Sequence, residues 1–291
     1  MNIAYIGLGA MGFAMASRLA DAGLLHCVWN RSTEKSSAFV KQHSRVIVAR
    51  SLSEMAQQCH LIFTCVSADD DLIEVVDALL PGLQANTILV DTSTVSADCS
   101  RQLAERLAEQ DVVLLDAPVS GGVEGAINGQ LSMMVGGDEE ALAIIRTVLD
   151  PLTSKVVYMG PAGSGQATKA VNQIMAAGIN QAVSEALAFA EAMHLDLQKV
   201  IDVVGGGAAG NWFLQHRGAS MTAGRYDHGF KVALHHKDLG LCQRMVEKLA
   251  DTDKSLPIVE MTLVHYQRLM DEGYADEDIS SLYRLKRRLF R

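Results

Sequence analysis

Twelve residues at the start of the chain, Met-Asn-Ile-Ala-Tyr-Ile-Gly-Leu-Gly-Ala-Met-Gly, constrain the fold more than any other stretch. An apolar strand runs directly into Gly7-Leu8-Gly9-Ala10-Met11-Gly12, and Phe13 to Ala20 continues with helical spacing. In that strand–turn–helix context each glycine has a physical task. Gly7 allows the tight turn, Gly9 leaves room for a pyrophosphate against backbone N–H groups, and Gly12 lets the helix pack close to the sheet. The phosphates of a dinucleotide are expected at the helix N-terminus, so Gly7, Leu8, Gly9, Ala10, Met11 and Gly12 are candidate cofactor contacts.

Beyond this fingerprint, β-rich runs alternate with amphipathic segments, the pattern of a parallel sheet with crossover helices. Strands are predicted at Ile3 to Ile6, Cys27 to Trp29, Leu61 to Val66, Thr87 to Asp91, Val112 to Asp116, Leu131 to Val135 and Val156 to Tyr158. The expected fold class is α/β, a doubly wound Rossmann-type sheet over residues 1–162. Gly160 to Gly165 is Gly/Pro-rich and reads as a linker. A long Ala-, Met- and Leu-rich helix from about Gln166 to Met193 should follow it and open an all-helical domain over residues 163–291. Breaks are expected at Gly205-Gly206-Gly207 and around Gly224.

With 291 residues, 49% hydrophobic and 20% charged, the chain can build two cores. No apolar run reaches membrane-spanning length, so no membrane partner is expected. The net charge of −9 disfavours nucleic acid. Arg284, Lys286, Arg287, Arg288 and Arg291 alternate with Leu282, Tyr283, Leu285 and Leu289, which reads as a solvated amphipathic last helix. Five cysteines without CxxC or Cys/His spacing read as reduced thiols, and neither Cys59-His60 nor His235-His236 has a second ligand pair, so no metal is expected. Because the fingerprint starts almost at Met1, a cytoplasmic chain with no leader ahead of it is the expectation.

Three segments carry candidate chemistry. Lys169, Asn172 and Gln173 fall on one face at the start of the long helix, a polar stripe expected to face the cleft between the two domains. Asp116 to Gly122 reads as a loop at the carboxyl end of a strand, where Ser120, Gly121 and Gly122 could bind a carboxylate. Lys237 and Asp238 interrupt an apolar helix, which places a cation near the cofactor or a simple ion pair at the surface. Asn211-Trp212-Phe213 reads as core, or as a lining of the cleft.

Four ordered stretches resemble the β-hydroxyacid dehydrogenase family: GLGAMGFAMASRLADAG, DAPVSGGVEGAINGQLSMMVGG, GSGQATKAVNQ and HHKDLGL. The resemblance implies an NAD(P)-dependent oxidoreductase acting on a small β-hydroxyacid and its semialdehyde, with Lys169 as acid/base and Ser120, Gly121 and Gly122 on the substrate carboxylate. It implies that Asn172 and Gln173 orient the substrate, Asn-Gln standing where many members have Asn-Asn. It also implies that Val66, Ser67, Thr94 and Lys237 contact the cofactor, with Ser67 in place of a frequent proline. Hydride transfer requires the substrate hydroxyl to lose a proton, so a lysine base must have its ordinary pKa lowered by its surroundings. At the end of strand two, Asn30, Arg31 and Ser32 include no acid for a ribose and offer donors to a 2′-phosphate, so NADP is expected over NAD. An imine reductase shares the architecture but usually lacks the lysine, and a noncatalytic dinucleotide-binding module is the reading from another class. The apolar second domain is expected to form a homodimer or homotetramer.

Overall fold

The computed structural model describes residues 2–227, 229–249 and 254–290. The chain divides into two compact units, Met1–Lys169 and Ala170–Arg291.

The first unit is built on nine strands: β1 (Ile3–Ile6), β2 (Leu25–Trp29), β3 (Ile47–Val48), β4 (Leu61–Thr64), β5 (Ile88–Asp91), β6 (Val113–Asp116), β7 (Val119–Ser120), β8 (Leu131–Gly136) and β9 (Thr153–Gly160). Helices α1 (Ala10–Asp21), α2 (Thr33–Gln42), α3 (Leu52–Gln58), α4 (Asp69–Leu79), α5 (Ala97–Ala108), α6 (Gly122–Asn128) and α7 (Glu139–Leu149) connect them. The order β3-β2-β1-β4-β5-β6 is parallel throughout, and reverses at β1 as in a doubly wound sheet.

Period-two alternation sends side chains to both faces. Tyr5, Phe63, Val90 and Leu115 enter one layer with Met15 and Leu19 of α1, while Ile6, Ile62, Leu89 and Leu114 enter the other with Leu72 and Val76 of α4. Each fully buried side chain of this size contributes about 1.5–3 kcal/mol, so both layers hold the sheet between its helices.

The parallel pattern gives way at the far edge. β8 runs antiparallel to β6 and β7, and β9 pairs parallel with β8. β6 and β7 lie end to end along the same side of β8, where the Pro118 carbonyl accepts from Met134 N–H at 3.1 Å. Pro118 has no N–H to give and divides what would be one strand. The stretch expected as a loop therefore carries Val119 and Ser120 in a strand. The two-residue β3 was too short to show in the sequence pattern.

Helix α8 (Ser164–Ala192) begins inside the predicted linker and carries the chain from the first unit into the second. The described part of the second unit continues with α9 (Leu197–Gly205), α10 (Trp212–Thr222), α11 (Val232–Glu247), α12 (Pro257–Asp271) and α13 (Leu282–Arg288), with breaks at the glycines expected. Its core gathers Val183, Leu187, Ile201, Leu214, Tyr266 and Leu282.

Two expectations change here. Phe213 is core, but Trp212 is 55% exposed and stacks on His216. The last helix is not simply solvated: Lys286 is 2% exposed and pairs with Glu185 at 2.7 Å. Arg284 pairs with Glu277, Arg287 with Glu191 and Arg288 with Glu272, so these cations neutralise acids of their own unit. Arg291 lies outside the described residues. Among the described residues no helix is long and apolar enough to cross a membrane.

Candidate active site

The fingerprint glycines are fixed by close backbone approach. Gly7 has φ +92°, and a Cβ there would lie 2.2 Å from the Cys65 carbonyl oxygen. A Cβ at Gly12 would lie 1.9 Å from the Gly7 carbonyl oxygen, so helix and turn meet with no room for a side chain. At Gly9, by contrast, a Cβ would meet nothing within 4 Å, which leaves an open cradle at the start of α1. The first turn of α1 holds no acid and Gly9 brings no side chain to cap it. Its leading N–H groups have no acceptor within the helix, so an anion is the complement that this end needs. A dinucleotide pyrophosphate fits.

Asn30 braces the turn, since its Oδ1 accepts from Leu8 N–H at 2.7 Å and its Nδ2 donates to the Ser32 carbonyl at 3.0 Å. The other two residues expected at the 2′-position are engaged with acids from neighbouring helices. Arg31 pairs with Asp71 at 3.1 Å, and Ser32 Oγ donates to Glu34 at 2.6 Å. Glu34 escaped the sequence reading because it lies in the first turn of α2, beyond the end of β2 where the acid of the motif is expected. The Arg31 side chain is 80% exposed, so its pair is worth at most about 1 kcal/mol and yields to a better anion.

At the carboxyl ends of β4 and β5, Val66 N–H donates to Ser93 Oγ at 2.8 Å, and Ser93 Oγ donates to Asp91 Oδ1 at 2.6 Å. Thr64 Oγ1 donates to the same oxygen at 2.7 Å. Gln166 of α8 joins in, donating to the Ser93 carbonyl at 2.9 Å and accepting from Val95 N–H at 3.3 Å. This network sets the loops carrying Val66, Ser67 and Thr94. Val66 lies just past the end of β4, shorter than its predicted strand. Burial pushes the Asp91 carboxyl up to about 6, against the opposing bonds from Ser93 and Thr64 and with a contribution from Asp116. Asp91, Ser93 and Gln166 were not singled out in sequence, although Gln166 lies inside the GSGQATKAVNQ stretch.

Lys169 is 8% exposed, and its Nζ donates to the Val119 carbonyl at 2.9 Å, one residue before Ser120. Gly121 and Gly122 follow at φ +133° and φ +64°, conformations that open their N–H groups into a turn few other residues adopt.

In the second unit, Asn172 Nδ2 donates to Gln173 Oε1 at 2.7 Å, Gln173 Nε2 donates to Asp238 Oδ2 at 2.6 Å, and Lys237 Nζ lies 3.0 Å from Asp238 Oδ1. Asn172, Gln173 and Lys237 are thereby joined through a carboxylate that is 5% exposed. His235, one turn earlier, is fully buried with Nε2 at 3.2 Å from the Gln173 carbonyl. A carbonyl only accepts, so Nε2 carries the proton.

Residues 2–160 match the NAD-binding domain of 6-phosphogluconate dehydrogenase, and residues 163–286 match the NAD-binding domain of NADP-dependent 3-hydroxyisobutyrate dehydrogenase. The chain belongs to the β-hydroxyacid dehydrogenase family. It is an NAD(P)-dependent oxidoreductase of that family. An uncharacterised oxidoreductase of Shewanella frigidimarina is 38% identical over 284 residues, covering 97% of this chain and 96% of the relative. The NAD-dependent L-serine dehydrogenase of Pseudomonas aeruginosa is 31% identical, covering 98% and 97%. Among solved structures, Mycobacterium tuberculosis 3-hydroxyisobutyrate dehydrogenase with L-serine superposes with a TM-score of 0.88 at 30% identity, covering 98% of this chain and 99% of that one.

Proposed function

We propose that this β-hydroxyacid dehydrogenase interconverts a small β-hydroxyacid and its semialdehyde or keto form, with NADP preferred over NAD. Residues 1–162 hold the dinucleotide, and residues 163–291 supply substrate and subunit contacts. The observation carrying the reading is Lys169, a buried amine whose Nζ is tethered to the Val119 carbonyl at 2.9 Å beside the Ser120-Gly121-Gly122 turn.

A bound nicotinamide cofactor supplies the hydride acceptor or donor. The protein handles the proton. In oxidation Lys169 takes the proton of the substrate hydroxyl as its carbon gives up hydride, and in reduction Lys169 returns a proton to the forming alkoxide. Ser120 Oγ and the Gly121 and Gly122 N–H groups hold the substrate carboxylate. Asn172 and Gln173 orient the reacting oxygen, and Lys237, held by Asp238, adds positive charge near the cofactor. Arg31 and Ser32 turn toward the 2′-phosphate once Asp71 and Glu34 give way to the stronger anion.

Homodimer or homotetramer formation is part of the proposal. Val171, Met175 and Phe189 of α8 and Ile258 and Val264 of α12 are all more than 40% exposed, an apolar load that a partner subunit would cover. Light scattering that returns a monomer overturns this point.

The deciding experiment follows NADPH and NADH oxidation by wild type and Lys169→Ala with glyoxylate and with succinic, methylmalonic and tartronic semialdehydes, and the reverse reaction with L-serine and 3-hydroxyisobutyrate. Turnover in wild type alone, with cofactor binding kept in the variant, is expected. Equal turnover in both proteins refutes the role of Lys169. Inertness of both across the panel, with cofactor bound, favours a noncatalytic module. For oxidation, kcat/KM should rise between about pH 7 and about pH 10 when a base takes the hydroxyl proton, and a flat profile contradicts that role.

A further inference from the structure

We infer that Asp116 sets Lys169 in place and is a positioning residue for the proton transfer, an inference that rests on the acid/base role proposed for that lysine. Asp116 ends β6, is 1% exposed, and uses both carboxylate oxygens on the start of α8. Its Oδ1 accepts from Gly163 N–H at 2.8 Å and its Oδ2 accepts from Gln166 N–H at 2.9 Å. These amides belong to the end of a helix whose own first acceptors are missing. Gly163 precedes the helix and has no side chain to cap it. A carboxylate from another part of the chain therefore takes the place of a local cap, and its negative charge suits the positive end of the helix.

The glycines around it show that this contact is built in. A Cβ at Gly165 would lie 2.3 Å from the Asp116 carbonyl oxygen and 2.9 Å from Oδ2. A Cβ at Gly136 would lie 2.5 Å from Asp116 Oδ1 and 2.8 Å from Gly165 N. Side chains at 136 or 165 would push the strand end and the helix start apart. Three residues beyond Asp116, the Val119 carbonyl accepts from Lys169 Nζ. The short segment from Asp116 to Val119 thus grips α8 at its first turn and again at the amine, and runs on into Ser120, Gly121 and Gly122. Gln166 and Lys169 are three residues apart and share a helix face, about 4.5 Å along the axis. A slip at the anchor is passed to the amine, and a displacement of about 1 Å at a reacting group costs about 100-fold in rate.

The test compares wild type, Asp116→Asn, Asp116→Ala and Lys169→Ala in the full chain. Asn keeps one acceptor oxygen and Ala none, so a graded effect is expected. Cofactor affinity stays within about twofold, while kcat falls about tenfold in Asp116→Asn and further in Asp116→Ala. Amide exchange across residues 163–169 accelerates about tenfold with the rest of the sheet unchanged. The pH profile for acylation of the Lys169 amine by acetic anhydride, read by mass spectrometry, shifts with it. Where Asp116→Asn does not fold, Gln166→Pro set against Gln166→Ala removes one anchored N–H from the helix side, at a first-turn position that tolerates proline. Unchanged kcat, or unchanged exchange and acylation of Lys169, overturns the inference. Equal turnover by wild type and Lys169→Ala, or none in either, overturns the proposed function instead, and exchange and acylation still decide whether Asp116 holds the lysine.

Discussion

Replacing Asp91 by Asn should remove a pH-dependent loss of stability that the wild-type chain carries through the mildly acidic range. Burial of this carboxyl at the end of β5 is the main cause of its rise from 3.8 to about 6; bonds from Ser93 and Thr64 oppose it and Asp116 adds to it. Asp91 Oδ2 has no hydrogen-bond partner, so the charged form is desolvated on one side without compensation. Between its unfolded and folded pKa values the native state holds the proton more tightly than the unfolded chain. The contribution to stability is therefore full below about pH 4 and is lost as pH rises through about 6. The shift of about two units corresponds to about 3 kcal/mol. Asn at this position cannot ionise. Its Nδ2 would occupy the unpartnered oxygen's place at a cost of about 1–3 kcal/mol, but that cost does not vary with pH. Urea unfolding of both proteins from about pH 4 to about pH 8 separates the two effects: the offset reports the amide, and the slope of the difference reports the carboxylate. Wild type should lose about 3 kcal/mol relative to Asp91→Asn on going from about pH 4 to about pH 7. A difference constant to within about 0.5 kcal/mol across that range refutes a buried, ionising Asp91.

Three further outcomes are expected. Gly12→Ala drives a Cβ to 1.9 Å from the Gly7 carbonyl oxygen; overpacking of this kind costs about 1–3 kcal/mol, so the cofactor dissociation constant measured by fluorescence titration should rise about 10- to 100-fold. Arg31→Ala should raise KM for NADPH about tenfold and leave KM for NADH within about twofold, and equal effects on both would remove Arg31 from the 2′-phosphate. Gln173→Leu leaves Asp238 Oδ2 without its 2.6 Å donor and releases Asn172; stability should fall by about 1–3 kcal/mol and kcat/KM about 10- to 100-fold, and an unaltered kcat/KM would assign the network to structure alone.

Much of the first unit was legible because its signals are local. A glycine at positive φ, an apolar run of alternating faces and a helix-spaced polar stripe are each written in a few adjacent residues, and the strands from Ile3 to Asp116 other than β3 follow from them. What escaped depends on residues far apart in the chain. Asp71 on Arg31 cannot be read from the end of β2, because it arrives on α4, forty residues further along the chain. The burial of Lys286, in a helix whose pattern suggested a solvated cation, is set by the packing of α13 within its unit. The division of one strand into β6 and β7 turned on a single proline between two segments that share β8 as neighbour.

The DAPVSGG and GSGQATK motifs illustrate the same limit from the side of function. Read separately, one is a turn for a carboxylate and the other a helix with a lysine. In the folded unit Asp116 of the first accepts from Gly163 and Gln166 of the second, and Val119 of the first accepts from Lys169 of the second. Residues that look like two contributions to a site are one braced assembly, and its glycines at 136 and 165 are there because the strand end and the helix start touch. The spacing within each motif is accordingly a record of contacts with the other: Asp116 to Val119 matches Gly163 to Lys169, because the same short segment must reach both the opening turn of the helix and the amine.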